Sequence, residues 1–145
     1  MTARVTKVVF DTNILVSGHF WKGPPYRCLL AVDAGLVLLV LSAPIISEFK
    51  QKLERKFEVP DVEVHAIVER LATRAEIVPA QGRSGWVTQD GDDDKFIDAA
   101  LVSGAAVIVS GDKHLLTLSS VDGIEIVTAR EFLDRLPAFA DQTAP

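Results

Sequence analysis

The chain has 145 residues, of which 48% are hydrophobic and 24% are charged, and its formal net charge is -5. These values are typical of a soluble globular protein and predict a single domain over residues 1–145, with a frayed tail over residues 138–145. Cys28 is the sole cysteine, which excludes an internal disulfide and a multi-thiolate zinc site and favours a cytoplasmic location. No apolar run approaches the roughly 20 residues of a membrane-spanning helix, so we expect no membrane partner.

The acidic charge balance limits the classes of partner. Broad non-specific binding of nucleic acid depends on many Lys and Arg side chains, and this composition argues against it. The composition does not exclude a metal-dependent nuclease, because such a site gathers acidic side chains in one pocket and needs few basic residues around it.

Strand and helix patterns alternate along the whole chain. In chain order, we predict a strand over Val5–Phe10, a helix over Tyr26–Ala34, a strand over Leu36–Leu41, a helix from Ser42 to about Phe57, a helix from Pro60, a strand over Ala75–Val78, a loop over Pro79–Gly91, a helix from Asp94, strands over Ala105–Val109 and Ile124–Val127, and a closing helix that begins with a capping box of Thr128 and Glu131. This alternation predicts an α/β domain whose mainly parallel sheet is covered on both faces.

Acidic residues stand where two of these strands end. Asp11 follows the first strand directly. Asp112 follows the strand that ends at Val109 after two residues, so we expect both acids at the same edge of the sheet. Asp94 begins the helix that leads into this second strand, with Asp98 one turn later, and Glu48 comes from a different helix. Ligands of open parallel sheets bind at the carboxyl ends of the strands, so these residues are candidates for one site.

A cluster of carboxylates needs positive charge. Two like charges about 4 Å apart cost roughly 4 kcal/mol at an effective dielectric constant near 20. A divalent cation would remove that cost, and ligands that are all oxygen favour Mg²⁺, for which Mn²⁺ can substitute, over zinc.

Each acid also has a purely structural interpretation. Asp11 and Asp112 could be turn or cap residues, Glu48 could be a solvated helical side chain, and Asp94 could complement a helix dipole. The joint placement of Asp11 and Asp112 at strand ends, with Asp94 on the intervening helix, favours a site.

Several familiar motifs are absent from the sequence. The chain has no glycine-rich phosphate loop, dinucleotide fingerprint or nucleophile elbow. The run from Asp90 to Asp94 is not a calcium loop, because Lys95 stands where that loop needs glycine and Leu101 where it needs glutamate. The three histidines have no metal-binding spacing.

Four separated segments resemble the PIN domain, and in particular the toxin components of bacterial toxin-antitoxin pairs that are related to VapC. The segments are residues 8–17 (VVFDTNILVS), 42–49 with its Ile-Ser-Glu-Phe, 94–100 (DKFIDAA) and 107–116 (VIVSGDKHLL). The similarity extends from about Val5 to Val127. It implies a three-layer α/β/α sandwich with a Mg²⁺-dependent ribonuclease site, in the toxin of a type II toxin-antitoxin system.

The resemblance also implies roles for single residues. Asp11, Glu48, Asp94 and Asp112 fall on the four acidic, metal-binding positions of the family. Asn13 and Ser110 fall on supporting polar positions, and Asp98 on a variable position that could add a ligand. His114 departs from many similar chains, which carry another acid there. Implied partners are an RNA substrate, a cognate antitoxin protein and a second copy of the chain in a homodimer.

Contacts to RNA are less specific in the sequence. Lys50, Lys52, Arg55 and Lys56 follow Glu48 on its helix, and Arg83 lies in the predicted loop. These residues could bind phosphates or simply be solvated. The segment His19 to Lys22 is aromatic and basic, and it is compatible with base stacking, partner contact or core packing.

Two other classes of function compete with the nuclease. A phosphatase of the haloacid dehalogenase type also places an aspartate after its first strand, but it needs a second aspartate two residues later as general acid. Here that residue is Asn13, whose amide cannot donate a proton in this way. A non-catalytic PIN-like module that binds RNA or protein is the other alternative.

Overall fold

The structure, a computed structural model, describes residues 5–82, 85–86 and 91–141. Its elements are β1 (Lys7–Phe10), α1 (Thr12–Phe20), α2 (Pro24–Asp33), β2 (Leu38–Ser42), α3 (Ala43–Arg55), α4 (Asp61–Ala72), β3 (Ala75–Val78), α5 (Asp94–Ser103), β4 (Val107–Val109), α6 (Lys113–Leu118), β5 (Ser120–Val121), β6 (Ile124–Val127) and α7 (Ala129–Asp141). A short 3₁₀ turn, Gly91–Asp93, leads directly into α5.

The six strands form one sheet in the order β3-β2-β1-β4-β6-β5. Every neighbouring pair is parallel except β5 and β6. Helices flank this sheet, which confirms the predicted α/β/α sandwich with a mainly parallel central sheet. The chain moves from β1 to one side for β2 and β3 and to the other side for β4, so the strand order reverses between β1 and β4. In open α/β sheets this reversal opens a crevice at the carboxyl ends of the two strands.

The core is built from the inner strands. The apolar side chains of β1, β2 and β4 are almost fully buried, as expected for parallel strands that are covered on both faces. Phe10 at the end of β1 meets Phe132 of α7 edge to face, with ring centroids 5.7 Å apart. Two features thereby hold the carboxyl edge of the sheet in place: strand pairing and packing of α7 beneath it.

Two helices of the structure were not predicted from the sequence. Helix α1 is buried at Thr12, Ile14, Leu15, Val16 and Gly18, so its apolar residues surround the helix and leave no one-sided stripe to recognise. Helix α6 has only six residues, too few for a helical period to be detected. The capping box predicted for the closing helix is confirmed: Glu131 accepts from Thr128 N, and Glu131 N donates to Thr128 Oγ1.

None of the helices in the described part of the chain combines the length and the apolar character that crossing a bilayer requires.

Candidate active site

A cavity of about 220 Å³ contains the carboxylates at the carboxyl edge of the sheet. Four acids predicted or noted in the sequence, Asp11, Glu48, Asp112 and Asp92, contribute to its wall together with Asp93. The remaining wall residues are Thr12, Asn13, Lys52 and Phe96. The cavity lies at the reversal of strand order, where parallel sheets bind ligands.

Asp11 and Asp112 both cap the helix that follows their strand. Asp11 Oδ1 accepts from Ile14 N at 2.8 Å at the start of α1, and Asp112 Oδ1 accepts from His114 N at 2.7 Å at the start of α6. Each acid thus has the cap role that the sequence allowed, while its carboxylate also lies at the cavity. Capping and site formation are therefore combined in the same two residues.

Ser110 connects these two acids. Its hydroxyl donates to Asp11 Oδ2 and accepts from Asp112 N at 2.9 Å, and its side chain is fully buried. Burial raises the pKa of Asp11, although hydrogen bonds from Ser110 and from the N–H groups of Ile14 and Gly111 favour its ionised form. Ser110 therefore fixes the orientation of a carboxyl group that is costly to ionise in the metal-free protein.

Two lysines bring positive charge to the acids. Lys95 Nζ lies 2.7 Å from Glu48 Oε2, and Lys52 Nζ donates to Asn13 Oδ1 at 2.8 Å. Burial acts to raise the pKa of Glu48, but the hydrogen bond from Lys95 and the charges of Lys95 and Lys52 act against it, and the pKa lies below its ordinary value. Sequence analysis missed the role of Lys95, since its pairing with α3 is visible only in the tertiary structure.

The three consecutive aspartates at the start of α5 have different surroundings. Asp92 and Asp93 lie in the 3₁₀ turn and line the cavity. Asp94, which the sequence analysis chose, is buried but is not among the cavity residues, and its Oδ2 accepts from Gly85 N at 2.9 Å. Neighbouring residues of a helical turn point about 100° apart, so only the exact start of the helix decides which carboxylate faces the cavity.

The two further polar candidates, Asn13 and Asp98, lie in different places. Asn13 lies at the cavity, where its side chain accepts from Lys52. Asp98 is buried outside the cavity wall and accepts from Gln81 N at 2.9 Å through Oδ2, after the end of β3. Asp98 therefore ties the segment after β3 to α5.

The basic candidates lie along α3 and beyond it. Lys50 lines a separate surface depression with Gln51 and Glu54, and Arg55 is exposed at the end of the helix. Lys52 is the basic residue of this helix that lines the acidic cavity. Arg83 lies outside the described residues.

A second cavity, of about 270 Å³, lies between α1, α2, α3 and α4. Its wall is mainly apolar and contains a single carboxylate, from Asp33, which pairs with Arg74 at 2.5 Å. Although this cavity is larger, its wall lacks the several acids that line the smaller acidic cavity.

The acidic cavity matches a hard divalent cation in the chemistry of its donors, because its acidic and amide side chains all offer oxygen. Within residues 5–82, 85–86 and 91–141, no three His, Cys, Asp or Glu side chains already surround a common point at metal-binding distance. Lys95 and Lys52 supply the nearby positive charge in this arrangement. Asp11, Glu48, Asp92, Asp93 and Asp112 are the carboxylates of its wall.

Comparison with known proteins agrees with this fold. The family model described as "PIN domain" matches residues 7–114, and the chain therefore belongs to the PIN domain family, whose members are generally nucleases. No curated protein sequence is significantly similar to the chain.

Two solved structures are similar in fold. One is VapBC2 from Rickettsia felis bound to a DNA fragment from its promoter, with a TM-score of 0.57 and 12% sequence identity, covering 83% of this chain and 97% of that chain. The other is PAE2754 from Pyrobaculum aerophilum, with a TM-score of 0.57 and 15% identity, covering 92% of this chain and 90% of that chain.

Proposed function

We propose that this protein is a Mg²⁺-dependent ribonuclease that hydrolyses RNA phosphodiester bonds at the acidic cavity. The observation that carries the proposal is the approach of carboxylates from four separate parts of the fold to one cavity of about 220 Å³. They come from the ends of β1 and β4, from α3 and from the turn before α5. Membership of a family whose members are generally nucleases supports this interpretation.

Asp11, Glu48, Asp93 and Asp112 would hold the metal. The sequence analysis chose Asp94 for this set, but the Asp94 carboxylate accepts from Gly85 and lies outside the cavity wall. Asp92 and Asp93 both line the cavity, and we choose Asp93 because it is buried whereas Asp92 is exposed. Asp94 would then act as a positioning residue, which attaches the segment at Gly85 to the start of α5. Asp98 would position the segment at Gln81 in the same way.

A bound divalent ion would lower the pKa of a water ligand and stabilise the leaving oxygen. The side chains around it have separate tasks. Ser110 orients Asp11 by donating to Oδ2, and Lys52 orients Asn13. Lys95 holds Glu48 ionised, so that carboxylate is ready to bind a cation. Because water and not the ribose 2′-hydroxyl attacks, we expect products with 5′-phosphate and 3′-hydroxyl ends, and 2′,3′-cyclic phosphate ends would contradict the mechanism.

The test is cleavage of a mixed structured RNA by the purified protein with Mg²⁺ and with EDTA. We expect cutting that needs Mg²⁺ and is abolished in Asp11→Asn, a substitution that preserves shape and removes charge. Calorimetric titration with Mg²⁺ should show binding to the wild-type protein and none to the variant. A protein that neither cuts RNA nor binds Mg²⁺ would instead be a non-catalytic binding module.

The neighbouring aspartates provide matched variants. Asp93→Asn should weaken Mg²⁺ binding strongly, whereas Asp94→Asn should retain more of it, since an amide oxygen can still accept from Gly85 N. Asp61→Asn is the control, because Asp61 lies at the exposed start of α4 and outside the cavity wall. It removes the same charge and should leave Mg²⁺ binding unchanged. If Asp94→Asn loses Mg²⁺ and Asp93→Asn retains it, the assignment of Asp93 is wrong.

We further propose that this nuclease is the toxin of a type II toxin-antitoxin system and binds a small antitoxin protein. The resemblance to VapC relatives and the fold similarity to a VapBC2 complex support this proposal. Expression of the wild-type chain alone should arrest bacterial growth, and expression of Asp11→Asn should not. Growth arrest by both proteins would show that the toxicity does not depend on the acidic cavity.

A further inference from the structure

An exposed aromatic cluster lies at the C-terminal ends of α1 and α3, whereas the start of α1 lines the acidic cavity. We call His19, Phe20, Trp21 and Phe57 the aromatic patch. Phe20 and Phe57 stack with ring centroids 4.6 Å apart, and Trp21 lies 5.9 Å from Phe57 and 5.6 Å from Phe20. Trp21 is 57% exposed and Phe20 is 37% exposed, whereas Phe57 is partly buried against the core and connects the patch to it.

Backbone hydrogen bonds hold the chain segments that carry these rings. Trp21 N donates to Ser17 O at 3.0 Å, which fixes Trp21 at the end of α1. Phe57 N donates to Lys52 O at 3.3 Å, which fixes Phe57 beyond the end of α3. Because the rings of Phe20, Trp21 and Phe57 already pack on one another, a flat ligand could stack on them with little loss of side-chain entropy.

The two helices lead from the acidic cavity to the patch. Helix α1 begins at Thr12 in the cavity wall and ends at Phe20, while α3 carries Glu48 and Lys52 in the cavity wall and ends just before Phe57. Lys52 Nζ joins the two helices through Asn13 Oδ1 at 2.8 Å. With a rise of 1.5 Å per residue, the eight steps from Thr12 to Phe20 along α1 separate cavity and patch by about 12 Å.

Basic side chains follow this path. Residues 50–56 contain Lys50, Lys52, Arg55 and Lys56 and only one acid, Glu54. Lys56 Nζ lies 5.8 Å from the centre of the Phe57 ring, at the border of the patch. Glu58, Asp61 and Glu63 are the acids that follow the helix, yet residues 50–56 are locally positive in a chain whose formal net charge is -5. Positive charge between an aromatic surface and a nuclease-like cavity complements a polyanion that carries aromatic bases.

We propose that the aromatic patch is a stacking platform for unpaired bases of single-stranded RNA, whose phosphates follow Lys56 and Lys52 to the acidic cavity. This inference rests on the proposed ribonuclease function and adds the part of the substrate that lies away from the cut. Stacking on aromatic rings accepts every base, so the patch adds affinity without strict sequence preference. It also requires an unpaired strand, since paired bases have no free face for Trp21.

The test is binding of a fluorescein-labelled hexauridylate, followed by anisotropy. It is measured with Mg²⁺ in the Asp11→Asn background, so that binding is separated from cutting. Adding Trp21→Ala should weaken binding by about 5-fold to 150-fold, the range for loss of one base-aromatic stack. Val62→Ala is the matched control, because Val62 is an apolar side chain that is 83% exposed on α4. It should bind as the parent does.

Fluorescence of Trp21 provides a direct readout. In a Trp86→Phe protein, Trp21 is the remaining tryptophan, and hexauridylate should quench its emission. Trp21→Ala in the otherwise wild-type enzyme should leave the rate constant for cleavage at saturating RNA close to normal and raise KM for single-stranded substrates.

The outcomes separate this inference from the proposed function. Wild-type affinity in Trp21→Ala, or unquenched Trp21 emission, would overturn the platform while Mg²⁺-dependent cutting by the wild-type protein would still support the ribonuclease. A dimer that Trp21→Ala converts to a monomer, with RNA affinity unchanged, would also overturn the platform and make the patch a protein interface. If the wild-type protein neither cuts nor binds RNA, the ribonuclease proposal itself fails.

Discussion

Substitution of Gly18 by alanine tests the closest approach between the two helices that follow β1. Gly18 is buried in α1 where this helix packs on α2. A Cβ atom added at Gly18 would lie 2.6 Å from Leu29 Cδ1 and 3.0 Å from the Pro25 carbonyl oxygen. The end of the Leu29 side chain can turn away, but the Pro25 carbonyl belongs to the backbone of the first turn of α2 and cannot.

Two opposing effects set the size of the change. In a helix interior, alanine is favoured over glycine by about 1 kcal/mol. Insertion of a methyl group into a well-packed interface costs about 1–3 kcal/mol. We therefore expect Gly18→Ala to lower the free energy of unfolding by about 1 kcal/mol, which corresponds to a fall in Tm of about 4 °C for a domain of this size.

The assay is urea unfolding followed by far-UV circular dichroism, with thermal unfolding as a second measurement. Gly91→Ala is the matched control, because an added Cβ at Gly91 meets no atom within 4 Å. Its unfolding midpoint should stay close to that of the wild-type protein. An unchanged or raised midpoint for Gly18→Ala would refute the close packing of α1 on α2.

Two further predictions concern buried ionisable groups. Burial raises the pKa of the Cys28 thiol to about 12, so iodoacetamide should not alkylate native Cys28 at mildly alkaline pH and should do so promptly after unfolding in urea; rapid alkylation of the native protein would contradict its burial. Burial also raises the pKa of Asp11, so in EDTA its contribution to stability is fully present below the unfolded pKa and is lost as pH rises through the folded pKa. Urea unfolding in EDTA at a series of pH values should show this loss in the wild-type protein and a smaller one in Asp11→Asn, and identical pH profiles would show that Asp11 is not the cause.

Much of the sheet and of its carboxyl edge could be predicted from the sequence. The strands Ala75–Val78 and Ile124–Val127 have the predicted bounds, and the inner strands β1, β2 and β4 differ from prediction by one or two residues at an end. Apolar runs buried on both faces allow few alternatives to a parallel strand. Asp11 follows such a strand directly and Asp112 follows one after two residues, so their arrival at one edge of the sheet required only the strand order.

The tertiary structure decided what depends on helix rotation and on contacts between distant segments. The choice among Asp92, Asp93 and Asp94 depends on a 3₁₀ turn whose start no local pattern marks. The pairing of Lys95 with Glu48 joins α5 to α3, and the stack of Phe20 on Phe57 joins the ends of α1 and α3. A sequence records which side chains exist and their local period, whereas the relative rotation of packed helices is fixed by the whole core. For this protein, the sequence alone thus determined the edge of the sheet that carries the acids, and packing determined which carboxylates face the cavity and which rings form the patch.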